Sequence, residues 1–207
     1  MGTAWDDPVK SKKQLTVFAG SSITGGKWSG VFSNAIKEFN RLSTAHSLGV
    51  VLTQTTQAPD SNGPGGADVQ FEAGAGSVNF TAFGQAFSVS VDGKALAGHT
   101  SQVKLSFNGV ARIAKAFIVV PATPEIGDLG RRAAGDGVKL LIAVHELFHA
   151  CGLSSNDHNP DDLFNGFPQA IKGGTPAEDK IEVNHHKRLP PLFLSSITIG
   201  AVQALWK

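Results

Sequence analysis

The chain has 207 residues, of which 41% are hydrophobic and 17% charged, a composition typical of a folded globular protein rather than a disordered one. Eighteen basic side chains face seventeen acidic ones, so the formal net charge of +1 argues against a basic nucleic-acid-binding surface. The single cysteine, Cys151, excludes an intrachain disulfide framework.

The N-terminal sequence "MGTAWDDPVKSKKQ" is polar and has no apolar h-region, and no apolar run elsewhere is long enough to cross a bilayer. We therefore expect neither a signal peptide nor a transmembrane segment in this chain, and no membrane or nucleic-acid partner. A cytoplasmic protein fits these expectations, and so does one exported without an N-terminal signal. We also expect a monomer.

The first part of the chain alternates between strand and helix patterns. "LTVFAG" (15–20) predicts a buried strand ended by glycine, and strands are also predicted over 48–55 and 67–74. The Pro- and Gly-rich residues 57–66 predict a loop. Between the first two strands a helix is predicted, with Ser29 as its N-cap. Its apolar positions have helical spacing: Val31, Phe32, Ala35, Ile36, Phe39 and Leu42.

The middle of the chain predicts four more strands, two of them in a hairpin. A DG pair between two short apolar runs indicates a hairpin over 87–97. "SQVKLSF" (101–107) alternates in polarity, and "AKAFIVVP" (114–121) is continuously apolar, which is typical of a strand buried on both faces. A loop over 121–135 follows.

A helix that is apolar on nearly all sides is predicted over 136–152, with Asp136 as its N-cap and Gly152 as the C′ residue that ends it. The sequence beyond it is rich in loop-forming residues until a predicted C-terminal helix over 192–206. This order predicts an α+β protein.

Residues 145–149 of the apolar helix read "HELFH". Residues four apart lie on one face of a helix, so His145 and His149 can direct two imidazole nitrogens at one zinc ion. Glu146 stands beside that face, where it can take a proton from a water activated by zinc and pass it to a leaving amine. The pattern therefore predicts a zinc-dependent hydrolytic site.

Another interpretation is that these three side chains are held by hydrogen bonds in the core. The surrounding residues are so apolar that two unpaired imidazoles and a carboxylate would each be costly to bury. Metal coordination satisfies them together, and we favour it for that reason.

His145, Glu146, His149 and Gly152 match the pattern His-Glu-x-x-His-x-x-Gly-x-x-His, and in this the chain resembles the metzincin zinc metallopeptidases. The third histidine of the pattern would fall at Ser155, whose hydroxyl is a poor zinc ligand.

Three residues further on lies His158, preceded by Asp157. A short insertion after Gly152 would let either side chain return to the metal. Imidazole is the commoner ligand, so we predict His158 as the third ligand and keep Asp157 as the alternative. An exposed loop histidine is the remaining interpretation of His158.

The resemblance implies a metzincin-like fold in a single catalytic domain, residues 1–207. That fold has a twisted, mostly parallel sheet with a backing helix and a central active-site helix, here an N-terminal lobe over 15–152. A loop-rich C-terminal lobe over 153–207 would end in a helix. An edge strand within 78–107, most plausibly 101–107, would pair with an extended peptide or protein substrate.

The family also has a methionine turn beneath the zinc, but the only methionine here is Met1. Phe164, within "DDLFNGFP" (161–168), is expected to supply the hydrophobic floor instead, an expectation by analogy.

Other ligand sets remain open. In the gluzincin arrangement a downstream glutamate, Glu178 or Glu182, would replace the third histidine. The "NHH" cluster at 184–186 could bind metal or stabilise an oxyanion, although a solvated loop is favoured. Cys151 is expected to be a core thiol, and two further histidines, His46 and His99, to be surface or core residues.

These patterns predict a zinc-dependent endopeptidase in which Glu146 is the general base. The alternative is a non-catalytic, zinc-stabilised binding or effector domain of the same fold. The serine at the expected ligand position and the missing methionine support that alternative, whereas the intact Glu146 argues against it.

Overall fold

A computed structural model of the chain describes residues 2–127, 130–154, 156–159, 163–164, 169–183 and 187–207. Its helices are α1 (Asp7–Lys12), α2 (Ser21–Thr24), α3 (Ser29–His46), α4 (Asp136–Ala150) and α5 (Ser196–Trp206), with a 3₁₀ turn at Pro176–Glu178. Its strands are β1 (Gln14–Ala19), β2 (Val51–Thr55), β3 (Val69–Gly74), β4 (Gly76–Ala82), β5 (Gln85–Val91), β6 (His99–Phe107), β7 (Val110–Pro121), β8 (Glu125–Ile126), β9 (Arg132–Ala133), β10 (Gln169–Ile171), β11 (Lys180–Val183) and β12 (Lys187–Leu189). None of the described helices is both long and apolar enough to cross a membrane.

The central sheet has five strands in the order β2-β1-β3-β7-β6. The first four are parallel, and β6 pairs with β7 in the antiparallel direction. Helix α3 lies between β1 and β2 in the chain, the crossover that a parallel pair requires. The expectation of an α+β protein with a mostly parallel sheet is therefore confirmed.

Strand β7 is buried on both faces, as its apolar run predicts. Its side chains alternate between two clusters, because successive side chains of a strand point to opposite faces. Ile118 and Val120 belong to the main core, whereas Phe117 and Val119 belong to a smaller cluster beneath the β4–β5 hairpin.

The predicted hairpin over 87–97 is wrong. The hairpin pairs β4 with β5, and its turn is Phe83–Gly84, where φ is +52° and +74°. Two positive φ angles give the primed turn that suits strand twist, so this turn needs no DG pair. Asp92 and Gly93 follow β5 and form a separate turn, in which the Ala95 N–H donates to the Asp92 carbonyl at 3.1 Å.

Both predicted helix N-caps are wrong by one residue. Trp28 and Gly135 occupy the N-cap positions, so Ser29 and Asp136 are the first helical residues. The Asp136 carboxylate reaches Lys139 at 2.9 Å instead of capping the helix. The predicted stop is confirmed, since Gly152 follows the C-cap of α4 with φ +114°, a conformation that favours glycine.

Helix α4 runs through the interior and packs against α3, β6, β7, β11 and β12. The last carbonyls of a helix lack intrahelical partners, and a buried end must find them elsewhere. Here the Trp5 indole donates to the Ala150 carbonyl at 2.8 Å and the Trp206 indole to the Cys151 carbonyl at 2.9 Å. The Thr3 N–H donates to the Gly152 carbonyl at 2.9 Å.

The region after α4 contains more regular structure than the expected loops, because β10, β11 and β12 form a three-stranded antiparallel sheet. Asp179, just before β11, fastens this region to the start of α4. Its buried carboxylate accepts two 2.6 Å hydrogen bonds from Arg132, one from the Gly135 N–H at 2.9 Å and one from the Gly173 N–H at 3.0 Å.

The predicted loop over 57–66 is confirmed as irregular, and a fully buried lysine anchors its end. Lys115 Nζ donates to the carbonyls of Pro64, Gly65 and Ala67 at 2.8, 2.7 and 2.7 Å. Burial lowers the pKa of Lys115, with partial compensation from Asp68 and Asp60. All three ammonium hydrogens are thus used on backbone acceptors.

Replacing Lys115 with methionine tests this anchor. Lys115→Met keeps a long side chain but removes the donor for three carbonyls, so we expect the free energy of unfolding to fall by about 2–4 kcal/mol. Urea unfolding followed by circular dichroism measures it. Lys37→Met, at an exposed position of α3, is the control. A loss in Lys115→Met no larger than in the control would contradict the assignment.

Asp179 gives the fold an acid-sensitive contact. Burial alone raises the pKa of this carboxyl, but the hydrogen bonds from Arg132, Gly135 and Gly173 outweigh it, so its pKa lies below the ordinary value. A carboxyl with a lowered folded-state pKa contributes stability above its unfolded pKa of about 4 and loses it as pH falls through the folded value.

We therefore expect Asp179→Asn to be less stable than wild type at pH 7, and the difference to shrink below pH about 4. Thermal unfolding of both proteins from pH 7 to pH 2.5 measures this. A difference that stays constant over the whole range would show that the charge of Asp179 does not contribute.

Candidate metal centre

The structure brings His145, His149 and His158 together. The first two project from successive turns of α4, and His158 comes from the segment that follows the helix. One ligand nitrogen from each lies within 4.8 Å of the other two, and the Nε2 atoms of His145 and His158 are 3.3 Å apart. These three side chains are close enough to hold one metal ion between them.

Backbone carbonyls orient both helical imidazoles. His145 Nδ1 lies 3.1 Å from the Leu163 carbonyl, and His149 Nδ1 lies 3.1 Å from the Leu153 carbonyl. A carbonyl only accepts hydrogen bonds, so each Nδ1 carries the proton and each Nε2 keeps its lone pair. This is how backbone groups fix the tautomer of metal-binding histidines. The donor set therefore fits a metal ion.

The same histidines are held in the uncharged form that binds metals. Burial lowers the pKa of His145 to about 3, with a further contribution from neighbouring His149. Burial also lowers the pKa of His149 to about 4, against the hydrogen bond to Leu153. Both imidazoles are neutral at pH 7.

Phe164 forms the floor of the cluster. Its ring is fully buried, and its centroid lies 4.6, 4.5 and 4.9 Å from those of His145, His149 and His158. An apolar ring packed against all three imidazoles limits their rotation and excludes water from one side. Of the segment 161–168, only Leu163 and Phe164 are among the described residues.

Glu146 is buried beside the cluster, with 3% of its surface exposed. Its Oε2 accepts a hydrogen bond from Thr100 Oγ1 at 2.7 Å. Burial raises the pKa of Glu146 to about 7, and hydrogen bonds from Thr100 and the Gly98 backbone oppose that rise. The carboxyl group can therefore both accept and release a proton near neutral pH.

A cavity of about 510 Å³ contains these side chains. The three histidines and Glu146 lie on one side of it, and residues 96–102 with Lys104 lie on the β6 side. The remaining wall is largely apolar and includes Leu141, Ile142, Leu153, Leu163, Ile181 and Val183. The cleft thus joins a polar centre to an apolar surface.

The other predicted ligands are not part of the cluster. Asp157 Oδ2 accepts hydrogen bonds from Ser154 N and Ser154 Oγ at 2.8 and 2.9 Å, which shapes the turn before His158. Glu178 accepts from the Thr175 N–H within the 3₁₀ turn, and Glu182 lies on β11. Ser155 and residues 184–186 lie outside the described part of the chain.

Cys151 is a buried free thiol whose pKa is raised by burial, as expected of a core cysteine.

The sequence analysis assigns no site role to three cleft residues of β6, one of which, His99, it expects only as a surface or core residue. Thr100 contacts Glu146, and His99 lines the cavity. Gln102 Nε2 donates to the carbonyls of His149 and Leu153 at 2.8 and 3.2 Å. Their alternation indicates a strand, but a strand pattern does not specify which helix it will face.

No protein-family model matches the chain, and neither does any curated protein.

Metal-binding measurements test the cluster. We expect the purified protein to bind one divalent ion per chain, and His158→Ala to bind at least tenfold more weakly, because removing one of three imidazoles leaves an incomplete donor set. Isothermal titration calorimetry provides the affinities. Asp157→Asn and His46→Ala should stay near the wild-type affinity, and a loss confined to Asp157→Asn would assign the third ligand to Asp157.

Proposed function

We propose that the protein is a zinc-dependent endopeptidase. The observation that carries the proposal is the convergence of three ligand nitrogens within 4.8 Å of one another in a cavity that also contains Glu146. Three imidazoles, of which those of His145 and His149 are neutral at pH 7, form a donor set that would suit catalytic zinc, which prefers nitrogen ligands.

Zinc, when bound, supplies a Lewis acid that polarises the scissile carbonyl and lowers the pKa of the attacking water. Glu146 is the general base that accepts a proton from that water, and it then donates the proton to the leaving amine. A pKa near 7 serves both steps, because the carboxylate is basic enough to take the proton and acidic enough to return it. The Leu163 and Leu153 carbonyls accept hydrogen bonds from Nδ1 of His145 and His149, which keeps each Nε2 atom directed at the metal position.

A peptide substrate suits the β6 side of the cleft. Among the described strands β6 pairs only with β7, so its other edge has backbone groups available for an added strand. An extended peptide would align along this edge by β-augmentation, and its scissile bond would then lie beside the histidine cluster. The apolar wall formed by Leu141, Ile142 and Ile181 would receive an apolar side chain of the substrate.

We also propose that the architecture is metzincin-like. Support comes from the mostly parallel sheet with one antiparallel edge strand, and from the central helix that ends at Gly152. The place of the methionine turn would be taken by Phe164, which packs against all three imidazoles. His158 lies three residues beyond the position of the third histidine in the metzincin pattern. The hydrogen bonds from Ser154 to Asp157 form a turn that would accommodate these extra residues.

A second function is a zinc-stabilised binding domain without catalysis. One observation favours it: the Glu146 carboxylate already has a structural partner in the Thr100 hydroxyl. In such a domain Glu146 would support the fold and would not activate water.

Substituting Glu146 separates the two functions. Glu146→Gln keeps the size of the side chain and one acceptor oxygen but cannot act as a base, so we expect zinc content to be retained and peptidase activity to fall at least 100-fold. Cleavage of a quenched-fluorescent peptide library, beside zinc analysis by mass spectrometry, measures both.

Chelation of wild type should abolish the same activity, and one equivalent of zinc should restore it. Peptidase activity that persists in Glu146→Gln would contradict the mechanism. A zinc-loaded wild type that cleaves neither casein nor the library would favour the binding domain.

A further inference from the structure

One short segment of chain, which carries Gly98 and Thr100, holds the Glu146 carboxylate from two directions. Thr100 Oγ1 donates to Oε2 at 2.7 Å. The same hydroxyl lies 3.2 Å from the Glu146 carbonyl, but it has one hydrogen and so serves the shorter bond. Gly98 approaches the stem of the side chain closely, next to Cγ, Cδ and Oε1.

The approach of Gly98 depends on the absence of a side chain. A Cβ at this position would lie 2.7 Å from Glu146 Cγ, 3.0 Å from Cδ and 3.1 Å from Oε1. Contacts this short force a shift, and α4 cannot supply it because Leu147 and Phe148 beside Glu146 are fully buried. Any substitution at 98 would therefore displace either the Glu146 carboxylate or the strand.

Thr100 fixes the direction in which the carboxylate points. It lies on β6, where its register with β7 is set by pairing with Ile118. Because the pairing of β6 with β7 fixes the position of Thr100, it also fixes the position of its hydroxyl group. A buried carboxylate has few other donors with which to satisfy its oxygens. The position of Glu146 is thus set by β6 as well as by its own helix.

We propose that Gly98 and Thr100 are positioning residues that aim Glu146 at the attacking water, and we call the pair the carboxylate cradle. The inference rests on the proposed function, since it concerns the same base. It adds that one segment does two tasks: the strand that would align the substrate also sets the angle of the base. The same segment would therefore determine both where the peptide binds and where the carboxylate of Glu146 lies.

The kinetic test uses Thr100→Val, which keeps the shape and removes the hydroxyl. We expect kcat to fall about ten- to a hundredfold, the range for losing a hydrogen bond to a charged group, with KM unchanged. Thr100→Ser should restore most of kcat, because it returns the hydroxyl. Gly98→Ala should lower kcat with zinc content retained. Thr81→Val, at an exposed position of β4, is the matched control and should behave as wild type.

An unchanged or raised kcat in Thr100→Val would overturn the proposal, since it would mean that the contact is idle or restrains the base. The same holds if KM rises while kcat stays constant, because Thr100 would then act on substrate binding. Failure of Thr100→Ser to restore kcat would also overturn it.

A second test does not depend on activity. In the zinc-loaded protein we expect Thr100→Val and Glu146→Leu each to lower the melting temperature, and the double variant to lose less than the sum of the two shifts. Additive shifts would show that the two side chains do not interact and would overturn the cradle. If wild type binds zinc and cleaves nothing, the proposed function fails, while this cycle still decides whether Thr100 positions Glu146.

Discussion

Burying three polar side chains of an otherwise apolar helix inside the core is the constraint on which the rest of this structure depends. Helix α4 carries His145, Glu146 and His149 through the centre of the protein. An unsatisfied buried donor or acceptor costs on the order of 1–3 kcal/mol, and a buried charge costs more. Each of these side chains therefore needs a partner, and the fold is arranged around supplying them.

The partners come from distant parts of the chain. Strand β6 supplies Thr100 and Gln102, and the segments after the helix supply the Leu153 and Leu163 carbonyls. The end of the same helix is satisfied by Trp5 from the N-terminal region and Trp206 from α5. Because both chain ends and the edge strand meet at one helix, the candidate centre cannot be separated from the fold that encloses it.

The sequence could predict the helices and strands whose apolar residues follow a local repeating pattern. Helical spacing gives α3 with its six buried apolar residues, and it also places His145 and His149 one turn apart. A continuous apolar run gives β7. Whether His158 joins them depends on the path of the chain after the helix, so the sequence favours His158 as the commoner ligand type but leaves Asp157 as an alternative. In the structure a ligand nitrogen of His158 lies within 4.8 Å of those of the two helical histidines, whereas Asp157 accepts hydrogen bonds from Ser154.

What the sequence could not predict depends on long-range pairing. Strands β10, β11 and β12 have three or four residues each, too few to show a period of two, and only their mutual pairing defines them. The hairpin was misplaced because its turn uses Phe83 at a positive φ, where asparagine or glycine is the usual residue. Thr100 was missed for a related reason: its partner lies 46 positions away in the chain.

The two indoles that close the end of α4 also make the helix an optical reporter. The chain contains three tryptophans and no tyrosine, so its intrinsic emission comes from indoles alone. Trp5 and Trp206 are bound to the carbonyls of Ala150 and Cys151, immediately beyond His149, whereas Trp28 is bound to the Pro121 carbonyl at the end of β7. An ion bound by the histidines would add charge near the helix end that Trp5 and Trp206 contact, so we expect it to change the indole emission. The protein would therefore report occupancy of the candidate centre through its own fluorescence, without an added label.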